Sequence, residues 1–213
     1  TGNRNVAVGR MALYANTTGL GIVAIGYDCL NANTAHESTA VGFQALKANT
    51  SGAGNSAFGA NALDVNTTGS KNTALGYATL SANTTGVENT ATGYLALVAN
   101  TTGSYNTATG SQALYSNTTG DYNAAFGYEA LTNNTTANYN SAFGYKALED
   151  NTTGANNTST GNSALKAKML SYYSGKDAGR EIIDPTSKGD FKIKQTMVDQ
   201  ISKGKDLKGK RSP

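Results

Sequence analysis

A repeat of 17 residues constrains the fold of this chain more than any other feature. Glycines closing short Ala-x-Gly or similar units recur at intervals of 17 residues, with one interval a single residue shorter. These glycines are Gly9, Gly26, Gly42, Gly59, Gly76, Gly93, Gly110, Gly127, Gly144 and Gly161. A leucine follows four residues after each glycine, and an asparagine follows seven residues after each of the first nine. Residues 1–165 are therefore expected to form ten copies of one structural unit.

The period selects a class of fold. So short a unit cannot hold a pair of helices, since helix-pair repeats need about 33 to 47 residues. We predict an all-β fold: a parallel β-solenoid in which each coil holds two short strands and two turns. A single coil cannot bury its apolar side, so the stability is expected to come from stacking. Ten coils at about 4.8 Å each would make a rod of about 48 Å.

The pattern within one unit predicts how a coil is built. Residues three and one before the glycine, such as Val6 and Val8, share a face because strand side chains alternate. We expect this face, including Thr107 and Thr109, to point inward toward the leucine, with the intervening alanine outward. The glycine suits a position with positive φ. The Asn-Thr-Thr-Gly stretch at 100–103 predicts a turn in which asparagine bonds its own backbone and glycine is left-handed.

Stacking of the units should align equivalent residues. Leucines and asparagines would form columns, as would aromatic pairs such as Tyr77 with Tyr94 and Tyr128 with Tyr145. The one shortened unit contains "NTAHESTAVG", which predicts a turn that is one residue shorter than the others.

The strand segments also resemble a known family. "NVAVG", "GIVAIG" and "STAVG" (residues 5–9, 21–26 and 38–42) resemble the Ser-Val-Ala-Ile-Gly motif of YadA-type trimeric adhesin heads. The longer unit "NTALGYATLSANTTG", at 72–86, resembles repeats of phage tail and virion fibres. The resemblance covers about three quarters of the chain. It implies a left-handed β-roll that associates as a homotrimer and binds surfaces.

The composition changes after residue 165. Residues 166–213 contain 12 of the 17 lysines and arginines but only six acidic residues. We expect two parts, a repeat domain over 1–165 and a capping segment, linker and basic tail over 166–213. In the tail, Phe191, Lys194, Met197, Val198 and Ile201 lie near helical spacing, which predicts a short amphipathic helix in residues 190–202. The basic end suggests docking to other particle or filament subunits. Nothing in it specifically favours nucleic acid.

No catalytic constellation is recognisable in the sequence. His36 is the single histidine and lies in the shortened turn, while Cys29 is the single cysteine and replaces a recurring alanine. A Ser- or Cys-based site needs a base and an orienting group as well as a nucleophile. We therefore predict no enzyme, no cofactor and no metal. No apolar run approaches the roughly 18 residues of a membrane-spanning helix.

Repeated polar motifs leave alternatives open. The Asn-Thr-Thr units and one Asn-Thr-Ser unit form glycosylation sequons at Asn16, Asn49, Asn66, Asn83, Asn100, Asn117 and Asn151. Turn formation explains the same residues without a glycan. Thr-x-Thr pairs at 90–92, 107–109 and 158–160 are too few for a continuous ice-binding array.

Three tyrosines form the candidate binding column. Tyr105, Tyr122 and Tyr139 each stand five residues before a repeat glycine. Such a column could stack on the sugars of a cell-surface glycan, or its rings could stack on one another to support the fold, which we favour.

These observations favour a non-enzymatic structural fibre or adhesin protein of a phage or virus-like particle, contributing to surface attachment. A bacterial extracellular adhesin or glycosylated filament subunit is the alternative. In either case the expected location is a virion or an extracellular surface.

Overall fold

One short strand per repeat builds a single parallel sheet. The structure, a computed structural model, describes residues 2–165 together with Ile182 and Ile183. The strands are β1 (Val6–Val8), β2 (Val23–Ile25), β3 (Thr39–Val41), β4 (Ser56–Phe58), β5 (Thr73–Leu75), β6 (Thr90–Thr92), β7 (Thr107–Thr109), β8 (Ala124–Phe126), β9 (Ser141–Phe143), β10 (Thr158–Thr160) and β11 (Ile182–Ile183). Each pairs in parallel with the next along the chain. The described residues therefore form an all-β solenoid without a helix, and coil n is the unit that contains strand βn.

The register confirms the repeat. Ala57 pairs with Ala74, which is the equivalent residue of the next unit. Across the shortened unit Ala24 still pairs with Ala40. The missing residue is absorbed at the corner, where the Asn33 amide donates to the carbonyl of residue 35, two positions ahead rather than three.

Two details of the coil differ from the sequence-based prediction. Each coil has one three-residue strand, and turns and bends replace the predicted second strand. The predicted facing of the strand is wrong: the middle alanine, such as Ala108, is fully buried, whereas Val8 is 56% exposed and Thr109 is also exposed. Thr107 is half-buried, so neither threonine faces the core. The coil is too narrow for large side chains on both walls, and alanine leaves room for the leucine opposite.

The wall opposite the strand contains residues with positive φ. The repeat glycine, here called the bend glycine, has positive φ in every coil, +136° at Gly110, as predicted. All ten repeat leucines are also left-handed, with φ from 49° at Leu30 to 54° at Leu13. A left-handed leucine costs about 1–2 kcal/mol, and burying its side chain contributes about 2 kcal/mol. Burial therefore offsets the strain, and this conformation could not be read from residue type.

The Asn-Thr-Thr-Gly corner is built differently from the prediction. Its glycine is not left-handed; the positive φ falls two residues later, at Tyr105 (φ 60°) in coil 7. A glycine is required at position 103 for steric reasons, since an added Cβ would lie 2.5 Å from the Gly120 carbonyl oxygen of the next coil. The prediction that asparagine bonds its own turn is confirmed, because the Asn100 amide donates to the Gly103 carbonyl at 2.9 Å.

Buried amides join the coils along the rod axis. The Asn100 amide donates to Asn83 Oδ1 and the Asn117 amide donates to Asn100 Oδ1, each at 2.9 Å. A second ladder lies four residues before the bend glycine, where Asn89 Oδ1 accepts the Asn106 backbone N–H at 3.0 Å. These ladders satisfy amides that would otherwise be costly to bury.

The predicted cap and amphipathic helix fall mostly outside the described residues. Within them, Ile182 and Ile183 pair with Ser159 and Thr160 on the outer edge of β10.

Candidate functional surfaces

The predicted tyrosine column is a ring ladder. The ring centroids of Tyr105 and Tyr122 lie 4.8 Å apart with an interplanar angle of 4°. Those of Tyr122 and Tyr139 lie 5.1 Å apart with an interplanar angle of 6°. The three side chains are exposed, but their ring faces are covered by one another. Burial, followed by the neighbouring Tyr105 and Tyr139, raises the pKa of the Tyr122 phenol. Only the outer faces of the end rings remain for stacking on a sugar, so the geometry favours the structural interpretation of this column.

Sequence reasoning missed an apolar surface on the outer side of the strands. The residues one and three before the bend glycine, expected in the core, are solvent-facing. In coils 1–5 the large exposed side chains at these positions are Val6, Val8, Ile25, Phe58 and Leu75, which are 38–56% exposed and are here called the apolar face. In coils 6 and 7 the same positions are threonines. The apolar face could have been predicted only by placing the middle alanine of each strand on the side that faces the core.

A second exposed cluster lies in coils 8 and 9. Stacked pairs are formed by the rings of Phe126 with Phe143 (5.0 Å), and of Tyr128 with Tyr145 (5.4 Å). The latter confirms the predicted alignment, as does Tyr77 with Tyr94 at 5.7 Å. These four rings of coils 8 and 9 are here called the aromatic patch, and each is 37–48% exposed.

Charged groups adjoin the aromatic patch. The Lys146 ammonium lies 2.7 Å from Glu129 and 3.0 Å from Glu149, and these two carboxylates raise its pKa. The same ammonium lies 5.7 Å from the centroid of the Tyr145 ring. A hydrogen bond with Glu129 raises the pKa of the Tyr128 phenol. The arrangement orders the surface and leaves a surplus of negative charge beside the rings.

The sequon asparagines belong mainly to the interior. Asn49, Asn66, Asn83, Asn100 and Asn117 are fully buried, and each side-chain nitrogen donates two hydrogen bonds inside the coils. A glycan on these nitrogens is incompatible with the stacked coils. Asn16 and Asn151 are half-buried near the two ends of the repeat. The Asn151 nitrogen also donates two hydrogen bonds, to Asn134 and Gly154, so the glycosylation hypothesis fits Asn16 better than Asn151.

The histidine and the cysteine each have structural contacts. His36 Nδ1 accepts the Leu20 backbone N–H at 3.2 Å at the exposed corner of coil 3. Cys29 is fully buried, and burial raises the pKa of its thiol to about 11, which keeps it protonated at neutral pH. In the part of the chain that the structure describes, no cluster of three or more His, Cys, Asp or Glu side chains could hold a metal ion.

A shallow groove lies at the corners of coils 7–9. Its lining residues are Ser116, Asn133, Thr135, Asp150 and Thr152. The Asn133 amide donates to Asp150 at 3.4 Å, and the Thr135 hydroxyl donates to the Thr152 carbonyl at 3.2 Å. These internal bonds explain the groove without a ligand.

Comparison with models of known protein families, with curated proteins and with solved structures finds no match to this chain. Among the described residues, no helix has the length and apolarity needed to cross a membrane.

Proposed function

We propose that this chain is a non-enzymatic structural fibre or adhesin protein of a phage or virus-like particle that contributes to surface attachment, and that it acts as a homotrimer. The apolar face carries this proposal. Five large apolar side chains lie outward on β1, β2, β4 and β5, and a row of this kind typically marks an association surface. Burying it between subunits would remove its exposure to water and stiffen the rod.

The interior of the solenoid supports a mechanical role. Each coil is joined to the next by backbone hydrogen bonds, amide ladders and a leucine column, so load along the axis is shared between equivalent bonds. The exterior is then free to vary for contact with a receptor, for which a cell-surface glycan is the candidate. The basic C-terminal segment is the proposed contact with other subunits of the particle.

Light scattering on the full chain tests the trimer. The chain mass is 21.9 kDa, so a trimer has three times that value. Phe58→Ser combined with Leu75→Ser should shift the mass toward a monomer, because both substitutions remove large side chains from the apolar face. Val65→Ser is the matched control, since Val65 is 40% exposed but lies outside the strand. A monomeric natural chain would contradict the trimer.

The attachment role needs a separate measurement. Fluorescently labelled natural chain should bind intact bacterial cells, with competition by purified surface glycans. Binding neither to cells nor to glycans would overturn the adhesin part of the proposal while leaving the fibre part intact.

The alternative is an extracellular adhesin or filament subunit, in which parallel coils of neighbouring subunits would stack through their strand edges. Open-ended polymers in the same light-scattering experiment would favour the filament over the discrete fibre.

A further inference from the structure

The negative charge of the repeat region is concentrated at one end. Residues 1–120 carry four acidic and four basic residues and are neutral. Residues 121–165 carry Asp121, Glu129, Glu149 and Asp150 against Lys146, a net charge of −3. The acidic end of the rod therefore coincides with the coils that carry the aromatic patch.

The C-terminal segment begins beside the same coils. Ile183 pairs with Thr160, and Thr160 pairs with Phe143, so β11 lies at the edge of the sheet beyond the phenylalanine column. At about 4.8 Å between strands, β11 is about 10 Å from β9 and about 14 Å from β8. The chain from residue 183 to residue 190 can span up to about 24 Å. Residue 190 can therefore reach the aromatic patch.

The chemistry of the segment matches the patch. Residues 190–202, "DFKIKQTMVDQIS", place Phe191, Met197, Val198 and Ile201 near helical spacing. As a helix, this stretch would be about 20 Å long and would place these apolar side chains along one side. Residues 184–213 carry eight basic and four acidic residues, a net charge of +4 that is attracted to the acidic end of the repeat.

We infer that residues 190–202 of the same chain cover the aromatic patch of coils 8 and 9. Methionine and branched side chains pack well against aromatic rings, and burying the four half-exposed rings would supply the apolar area that holds the segment. Residues 203–213 then remain available for contact with the particle. The apolar face of coils 1–5 also stays free, so the inference goes beyond the proposed function and does not depend on it.

Trypsin cleavage of the full chain tests the inference, because cleavage after Lys192 and Lys194 requires the segment to leave the surface. The test variant is Tyr128→Ser combined with Tyr145→Ser, and the matched control is Tyr77→Ser combined with Tyr94→Ser, the same column in coils 5 and 6. We expect the natural chain and the control to be cleaved about tenfold more slowly than the test variant. Thermal unfolding checks that both variants keep their coils.

A variant in the segment provides the reciprocal test. Phe191→Ser combined with Met197→Ser leaves the coils untouched and should give the same roughly tenfold acceleration. Equal cleavage rates in the natural chain and both aromatic variants would overturn the inference. Protection that disappears on dilution would also overturn it, because a second copy would then be the occupant. The molar mass under the same conditions separates this failure from failure of the trimer.

Discussion

The interior and the exterior of the coils follow different rules. Inside, the columns hardly vary: the strand alanine, the leucine and the corner asparagine are buried with little or no exposure in coil after coil. Outside, the residue after the bend glycine is Tyr27 in coil 2, Ala60 in coil 4 and Ser111 in coil 7. The interior therefore determines how coils stack, whereas the exterior determines what each part of the rod can contact.

The largest expected effect comes from Gly110→Ala, which places a methyl group between two coils. The new Cβ would collide with the Gly127 carbonyl oxygen, and φ is +136°, a conformation that L residues rarely adopt. We expect a loss of about 4 kcal/mol in the free energy of unfolding, measured by urea denaturation. Ser111→Ala, the neighbouring exterior substitution, should change it by less than about 0.5 kcal/mol. Similar losses for the two would break the distinction between interior and exterior.

Periodicity predicts the stacking but not the direction of each side chain. Equivalent residues must pair when a unit recurs every 17 residues, so the parallel sheet and the aligned tyrosines could be foreseen. Strand alternation shows that Val6 and Val8 share a face, but alternation alone does not say which face is inside. Apolar character suggests the wrong answer, because the narrow coil admits alanine there. The apolar face and the aromatic patch were missed for that reason.

A smaller effect is expected from Asn100→Ala, which removes one step of the corner amide ladder. The substitution leaves Asn83 Oδ1, the Gly103 carbonyl and the Asn117 amide each without one partner. Because these groups are buried, we expect a loss of about 3 kcal/mol, measured by the same denaturation. Asn133→Ala removes an exposed amide and is the control. A loss for Asn100→Ala no larger than that of the control would show that the buried amides do not determine stacking.

Tyr122→Ala should have a smaller effect, although it removes the central ring of the tyrosine ladder. Two stacking contacts are lost at an exposed position, so the expected loss is about 1 kcal/mol. Tyr115→Ala is the control, since Tyr115 is similarly exposed and stacks on no ring within the described residues. Equal losses in thermal unfolding would mean that the ladder does not stabilise the coils. Some other role, such as ligand contact, would then have to explain the ladder.

Asp64→Asn should have the smallest effect on the free energy of unfolding, and the substitution should stabilise the chain rather than destabilise it. Asp64 is half-buried, so it lies between the interior and the exterior of the coils. Burial raises the pKa of its carboxyl, only partly opposed by the Asn61 amide, and one buried carboxylate oxygen lacks a hydrogen bond. The raised pKa means that the folded chain prefers the protonated carboxyl. The contribution of Asp64 to stability is therefore greatest below its unfolded pKa of about 3.9, and it falls as pH rises through the folded pKa.

The uncharged asparagine avoids this loss, so the Asp64→Asn variant should be more stable than the natural chain by about 0.5 kcal/mol at pH 7. The difference should disappear near pH 3, which serves as the internal control for thermal unfolding across this range. A gain that does not depend on pH would assign the effect to packing rather than to charge.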